Sequence, residues 1–287
     1  MNKNVPKARY EIMTEGFIKS RKDEIVSLED VKQCLASLNK SYENLGKLTG
    51  GRICGVYRFS CSNEDKVIKV SRGIYRRTEL KREAKALRYL NNSEYKQFAP
   101  RLYDFNILND CSYLTLDYIE GKSVREKLSL NNSIEERVEI WEKVGQVLAR
   151  VHKAVHTENL EGKWLSEQLR IARINMISGL LDPEEFQEET PEERLKWLNL
   201  NKPNRKQISL IHGDFRTKNI LIDKESNPVV IDWGFVDIGD PYYDLAIIDY
   251  YFKNELDRNS FYKGYGIDKY DKNLIEYFDK LSTFINV

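Results

Sequence analysis

Hydrophobic spacing divides the chain into a strand-rich first part and a helix-rich second part. Ser27-Leu28-Glu29-Asp30 has capping-box spacing, and Val31, Leu35 and Leu38 follow at helical intervals, which predicts a helix over about 28–39. Short runs rich in β-formers follow at 43–49, 55–61 (GVYRFSC) and 66–70 (KVIKV). Gly50-Gly51 separates the first two and Ser62-Asn63-Glu64-Asp65 the second two, so an antiparallel meander is expected. RRTELKREAKALRYLNN (76–92) puts Leu80, Ala84, Leu87 and Leu90 on one helical face, and Asn91-Asn92 end it. Two further strands are expected at 101–108 and 112–119, joined by Asn109-Asp110, before a break at Gly121. From 123 to 205 the period is helical, as in VEIWEKVGQVLARVHKAV; strands are then expected at 208–211, 219–223 and 229–233, and the C-terminal third returns to helix. Strands first and mostly helices afterwards predict an α+β chain in two lobes, with the boundary near Asp117–Gly121.

Composition narrows the class. With 287 residues, 41% hydrophobic and 11% aromatic, the chain has enough apolar mass for a sizeable core and lies far from disorder. Residues 1–26 read as a polar, basic arm, 27–117 as the first lobe and 118–287 as the second. The N-terminus has no apolar segment of the secretory kind, and no apolar run approaches the roughly 18–20 residues that span a bilayer. Cys34, Cys54, Cys61 and Cys111 show no paired metal-site spacing and read as reduced thiols. A cytoplasmic protein without a membrane partner is expected. Net charge is only +1, which argues against an extended nucleic-acid surface. It is unevenly spread: residues 1–117 carry 22 Lys and Arg against 15 Asp and Glu (+7), and residues 118–287 carry 24 against 30 (−6).

Candidate chemistry lies in three stretches. Lys69 sits on the expected third strand, and Glu83 follows fourteen residues later on the next helix, with Glu79 one turn earlier as an alternative. SLIHGDFRTKNILID (209–223) holds Asp214 and Asn219 at D-x-x-x-x-N spacing, and Asp232 ends the expected strand VVIDW. Alone, an Asp–Asn spacing is a turn pattern. Together these residue types suit phosphoryl transfer from a nucleoside triphosphate. A lysine fixed by a glutamate neutralises phosphates, a carboxylate receives the proton of the attacking hydroxyl, and oxygen ligands hold Mg²⁺.

The same segments resemble the aminoglycoside phosphotransferase and choline kinase family, over about Leu45 to Ala246. HGDFRTKN (212–219) is similar to that family's catalytic loop and Ile231-Asp232-Trp233 to its metal-binding segment. REAKALRYL (82–90), YLTLDYIEGKSV (113–124), QVLARVHKA (146–154) and GDPYYDLA (239–246) follow the family's order. The resemblance implies a bilobal protein-kinase-like fold, with a small antiparallel-sheet lobe and a larger, mainly helical one. It implies Asp214 as catalytic base, Asn219 and Asp232 as Mg²⁺ ligands, and Lys69 with Glu83 as the phosphate clamp. Backbone groups of Asp117 and Ile119 would hold the purine, and Gly50-Gly51 would form a short turn over the phosphates, with Arg52 or backbone amides in contact.

Several neighbours of these motifs admit two readings. His212 is expected to shape the loop and Asp244 to brace it; Arg216 or Lys218 could touch the γ-phosphate or face solvent. The acidic run DPEEFQEETPEE (182–193) is a solvated face or a substrate contact, and YYDLAIIDYYF (242–252) is core or an ammonium cage. The resemblance implies transfer of the γ-phosphate of ATP or GTP to a hydroxyl of a small cationic acceptor, with an aminoglycoside-type antibiotic first. A kinase for choline, an amino alcohol or a sugar is the alternative, and a nucleotide-binding protein without catalysis is an alternative of another class.

Overall fold

The structure is a computed structural model that describes residues 25–39, 41–48, 54–130, 132–155, 163–204 and 208–285. Helix α1 (Leu28–Ala36) starts where the capping box lies: the Ser27 hydroxyl accepts from the Asp30 N–H, and the Asp30 carboxylate accepts from the Ser27 N–H. Strands β1 (Glu43–Lys47), β2 (Gly55–Cys61), β3 (Glu64–Arg72), β4 (Leu102–Leu108) and β5 (Cys111–Asp117) form one antiparallel sheet in the order β1-β2-β3-β5-β4. The β2–β3 turn is tighter than the four residues expected. Cys61 pairs with Glu64, and only Ser62 and Asn63 turn, both at positive φ, which matches the right-handed twist of the two strands. The glycine pair Gly50-Gly51, Arg52 and most of the expected 1–26 arm lie outside the described residues.

Alternation along β3 decides which way Lys69 points. Ile68 and Val70 are fully buried and pack with Val31 and Leu35 of α1 and with Tyr57, Phe59 and Tyr113. Val67 and Lys69 therefore face the opposite side, towards helix α2 (Ile74–Asn91). On α2 the residues Leu80, Ala84, Leu87 and Leu90 are buried, and Glu83, at i+3 from Leu80, is buried with them.

The chain leaves β5 at Asp117 and enters β6 (Gly121–Ser123) after three residues. The sequence predicts a break at Gly121 and helix from 123, with no strand here. β6 pairs instead with β8 (Ile220–Asp223), which also pairs with β9 (Pro228–Val230). Helices α3 (Val124–Ser129), α4 (Ile134–Lys153), α5 (Trp164–Ile177) and α6 (Pro191–Leu200) follow. β7 (Ser209–Ile211) pairs with β10 (Asp237–Gly239), a strand the hydrophobic pattern did not predict because it is three residues long and half polar. Helices α7 (Tyr242–Asp249), α8 (Glu255–Tyr265) and α9 (Lys272–Ile285) complete the chain.

One apolar cluster runs across the expected lobe boundary, from Leu80 and Leu87 of α2 and Leu114 of β5 to Trp141 and Leu148 of α4 and Phe215, Ile220 and Trp233. A second, under α5, α6, α7 and α9, is built on Leu169, Leu198, Tyr243 and Phe278. Helices α4 and α8 approach at backbone distance. A Cβ on Gly145 would lie 2.1 Å from the Phe261 carbonyl oxygen, and one on Gly264 would lie 2.1 Å from that of Glu142.

Candidate active site

Two short connections and one strand converge on the edge of the large cluster. Between β7 and β8 lies His212–Asn219, between β9 and β10 lies Asp232, and across from both lies Lys69 of β3. Asp232 was expected at the end of a strand. The strand stops at Val230, and Asp232 adopts a left-handed conformation (φ 67°, ψ 59°) that opens a tight turn over Trp233–Phe235. A non-glycine residue held there is strained, and such strain gathers at functional positions.

Lys69 Nζ donates to Glu83 Oε2 at 2.7 Å and to Asp232 Oδ1 at 2.5 Å. Glu79 binds Arg76 at 2.8 Å, so of the two glutamates it is Glu83 that meets Lys69. Burial disfavours the ammonium of Lys69, but the carboxylates of Asp232 and Glu83 outweigh it and hold the group charged well above its usual range. Burial pushes the Glu83 carboxyl up, only partly offset by Lys69. Asp232 goes the other way: burial opposes its charge, yet Lys69 draws it below the usual carboxylate range. The Asp232 side chain keeps 40% of its exposure, so one side of it is open to a ligand.

The loop is braced from beneath. Asp244, fully buried on α7, accepts from the backbone N–H of His212 at 2.6 Å and of Gly213 at 2.8 Å. Gly213 stands at φ 79°, with the Phe235 carbonyl oxygen 2.2 Å from where a Cβ would be, so no larger residue fits. His152 of α4 reaches Asp244 at 3.2 Å and the Tyr265 hydroxyl at 2.7 Å. This histidine was missed as a site residue, although it stands inside the segment QVLARVHKA. A polar residue at the end of an apolar helix face was the available signal.

His212 links the two loops. Its Nδ1 accepts from the Asp214 N–H at 3.3 Å, which leaves Nε2 as donor to the Ile231 carbonyl at 3.0 Å. The Ile231 N–H donates to the Asn219 carbonyl at 2.9 Å. Asn219 Nδ2 donates to Asp214 Oδ2 at 2.8 Å and to the Asp214 carbonyl at 2.9 Å, so its amide oxygen is left as an acceptor. Burial raises the Asp214 carboxyl, opposed chiefly by Arg216, whose Nε lies 2.5 Å from Asp214 Oδ1.

Asp117 closes β5 opposite Lys66, and its carboxylate accepts from the Tyr103 hydroxyl at 2.6 Å; Ile119 follows, half-buried, in the connection to β6. In the acidic run, Glu189 is bound by Arg194 at 2.9 Å and Lys280 at 2.6 Å, which ties it to α9. The aromatic run divides: Tyr243 is buried against Trp164 and Phe278, whereas Tyr250 is 80% exposed. Among the described residues no group of three or more His, Cys, Asp or Glu side chains could hold a metal, and no helix is long and apolar enough to cross a membrane.

An aminoglycoside 3′-phosphotransferase of Niallia circulans is 26% identical over 225 residues, covering 76% of this chain and 82% of that protein. The fold is similar to the crystal structure of an aminoglycoside 3′-phosphotransferase of type VIII, with a TM-score of 0.70 at 19% identity over 90% of this chain and 99% of that one. It is also similar to a spectinomycin phosphotransferase in complex with ADP and spectinomycin, with a TM-score of 0.59 at 17% identity over 86% of this chain and 83% of that one. The fold is thus the bilobal, kinase-like α+β arrangement. The model of the phosphotransferase enzyme family matches residues 47–271, from the first strand of the sheet to the start of the last helix, and the chain belongs to that family.

Proposed function

We propose that the protein transfers the γ-phosphate of ATP or GTP to a hydroxyl of a small molecule, with an aminoglycoside-type antibiotic as the first acceptor class. One continuous path of contacts carries this reading. Glu83 meets Lys69, Lys69 meets Asp232, and the adjoining Ile231 bonds to Asn219, which bonds to Asp214. A phosphate clamp, a pair of oxygen ligands and a carboxylate base thereby stand in one frame. The relatives' names support the acceptor class, and the ADP in one fold neighbour supports a nucleotide donor.

In this reading residues 27–117 form the nucleotide lobe and residues 118–287 the catalytic lobe. Lys69, fixed by Glu83, neutralises the α/β-phosphates, and backbone groups of Asp117 and Ile119 hold the purine. The Gly50-Gly51 turn is assigned to the phosphates from the sequence alone. The amide oxygen of Asn219 and the open side of Asp232 fit a hard cation that takes oxygen ligands, and two protein oxygens suit Mg²⁺ shared with phosphates. Mg²⁺ bound there would neutralise charge on the phosphates. Asp214 accepts the proton of the acceptor hydroxyl as its oxygen bonds to the γ-phosphorus. The bond from that phosphorus to the bridging oxygen breaks, and the nucleoside diphosphate leaves with the electron pair. The cytoplasm, where nucleoside triphosphates are abundant, is the proposed compartment.

The test is a nucleotide-consumption screen with ATP and GTP against aminoglycosides, macrolides, choline and amino sugars. Turnover stimulated by an antibiotic supports the reading, and its absence across the panel overturns it. Tyr250, exposed beside Tyr251 with ring centroids 5.3 Å apart, favours a second reading, a kinase for choline or an amino alcohol. Stimulation by choline alone would select it.

A further inference from the structure

The Asp214 carboxylate is held unequally at its two oxygens. Oδ2 receives the Asn219 amide at 2.8 Å. Oδ1 is buried, and the Arg216 Nε lies 2.5 Å away in an ion pair. The guanidinium thus holds Oδ1 through a close ion pair.

Arg216 is placed there by the backbone. Its N–H donates to the Asp214 carbonyl at 2.9 Å, and its own carbonyl accepts from the Asn219 N–H at 2.8 Å. The residue is extended (φ −108°, ψ 154°) as the cap of the turn Thr217–Asn219, so the side chain folds back over Asp214. At 35% exposure it is partly covered, and no second carboxylate pairs with it among the described residues. Asn219 on one oxygen and Arg216 on the other fix the plane of the carboxylate from two directions.

We propose that Arg216 is a positioning residue for Asp214: by holding Oδ1 it fixes the plane of the carboxylate that receives the acceptor proton. The proposal rests on the phosphotransfer reading for the identity of the base. It assigns Arg216 to the base and not to the γ-phosphate. A planar guanidinium suits the task because it can lie against Oδ1 by its inner nitrogen, whereas an ammonium is a point charge with three rotatable donors.

The test uses the full-length protein with Arg216→Gln and Arg216→Lys. Magnesium–nucleotide affinity is measured by calorimetry, steady-state kinetics use whichever acceptor the screen supplies, and a crystal structure is determined for each variant. The expected result is a fall in kcat of about 100-fold for Arg216→Gln, the scale set by small misplacements of reacting groups, with nucleotide affinity within about twofold of wild type. Arg216→Lys should recover part of the loss, and the Asp214 carboxylate should turn away from Asn219 in the glutamine variant alone. A parallel loss of nucleotide affinity would overturn the proposal in favour of a phosphate contact. An unmoved carboxylate would overturn it as well. The crystal structures and calorimetry need no acceptor, so a screen without turnover would fail the kinase reading and leave this test standing.

Discussion

Lys69 Nζ and Glu83 Oε2 lie 2.7 Å apart although fourteen residues separate them in the chain. The strand points Lys69 away from the α1 side of the sheet, and the helix carries Glu83 in its apolar stripe, so the pair forms where the two faces meet. Removing one charge of a buried pair leaves the other badly placed. We expect Glu83→Gln to weaken triphosphate affinity about tenfold or more while the far-ultraviolet spectrum stays native. Unchanged affinity by calorimetric titration would remove the pair from the phosphate site.

Asp214→Asn keeps the size of the side chain and removes its basicity. Phosphoryl transfer is expected to drop by about 100-fold or more, the usual contribution of a general base, while magnesium–nucleotide still binds. Substantial residual turnover in a radiolabel transfer assay would take Asp214 out of the role proposed for it.

Asp244 accepts two backbone N–H groups that have no route to water. Asp244→Ala leaves both unpaired and should destabilise the fold by about 2–4 kcal/mol, in addition to lowering activity. Chemical denaturation reads the first effect; a stability equal to wild type would mean that the loop rearranges without it.

Glu189 predicts a pH dependence away from the site. Burial works against its charge, but Lys280 and Arg194 outweigh it and hold the carboxyl below the usual glutamate range. A carboxyl lowered by folding stabilises the native state above its ordinary pKa, and that contribution is lost as pH falls through its folded value. Wild type should therefore exceed Glu189→Gln in Tm at neutral pH, and the gap should close as the pH drops below about 4. A gap independent of pH would refute an electrostatic tether between the acidic run and α9.

Gly145→Ala places a methyl group against the Phe261 carbonyl at the α4–α8 crossing. The expected loss is about 1–3 kcal/mol, as in other overpacked contacts, and thermal unfolding would show it. A variant as stable as wild type would mean that the two helices can separate without penalty.

Much of the fold is written in short-range pattern. Short runs rich in β-formers, bounded by turn residues, marked the five strands of the sheet, and the capping box marked the start of α1, because these signals depend on neighbours within a few positions. The β2–β3 turn came out tighter than expected, since a two-residue connection follows from strand twist and not from composition. Strands β6 and β10 escaped notice for a related reason: each has three residues and gains its partner from a distant segment.

The sequence by itself determined which residue types the site contains and their order along the chain. Only the tertiary structure decided between Glu79 and Glu83, because both lie on one helix and the choice depends on where β3 crosses it. It alone moved Asp232 off its strand into a left-handed turn, and it alone laid Arg216 against Oδ1 of Asp214. Such contacts are fixed by the packing of separate elements on a shared core, and local periodicity carries no record of them.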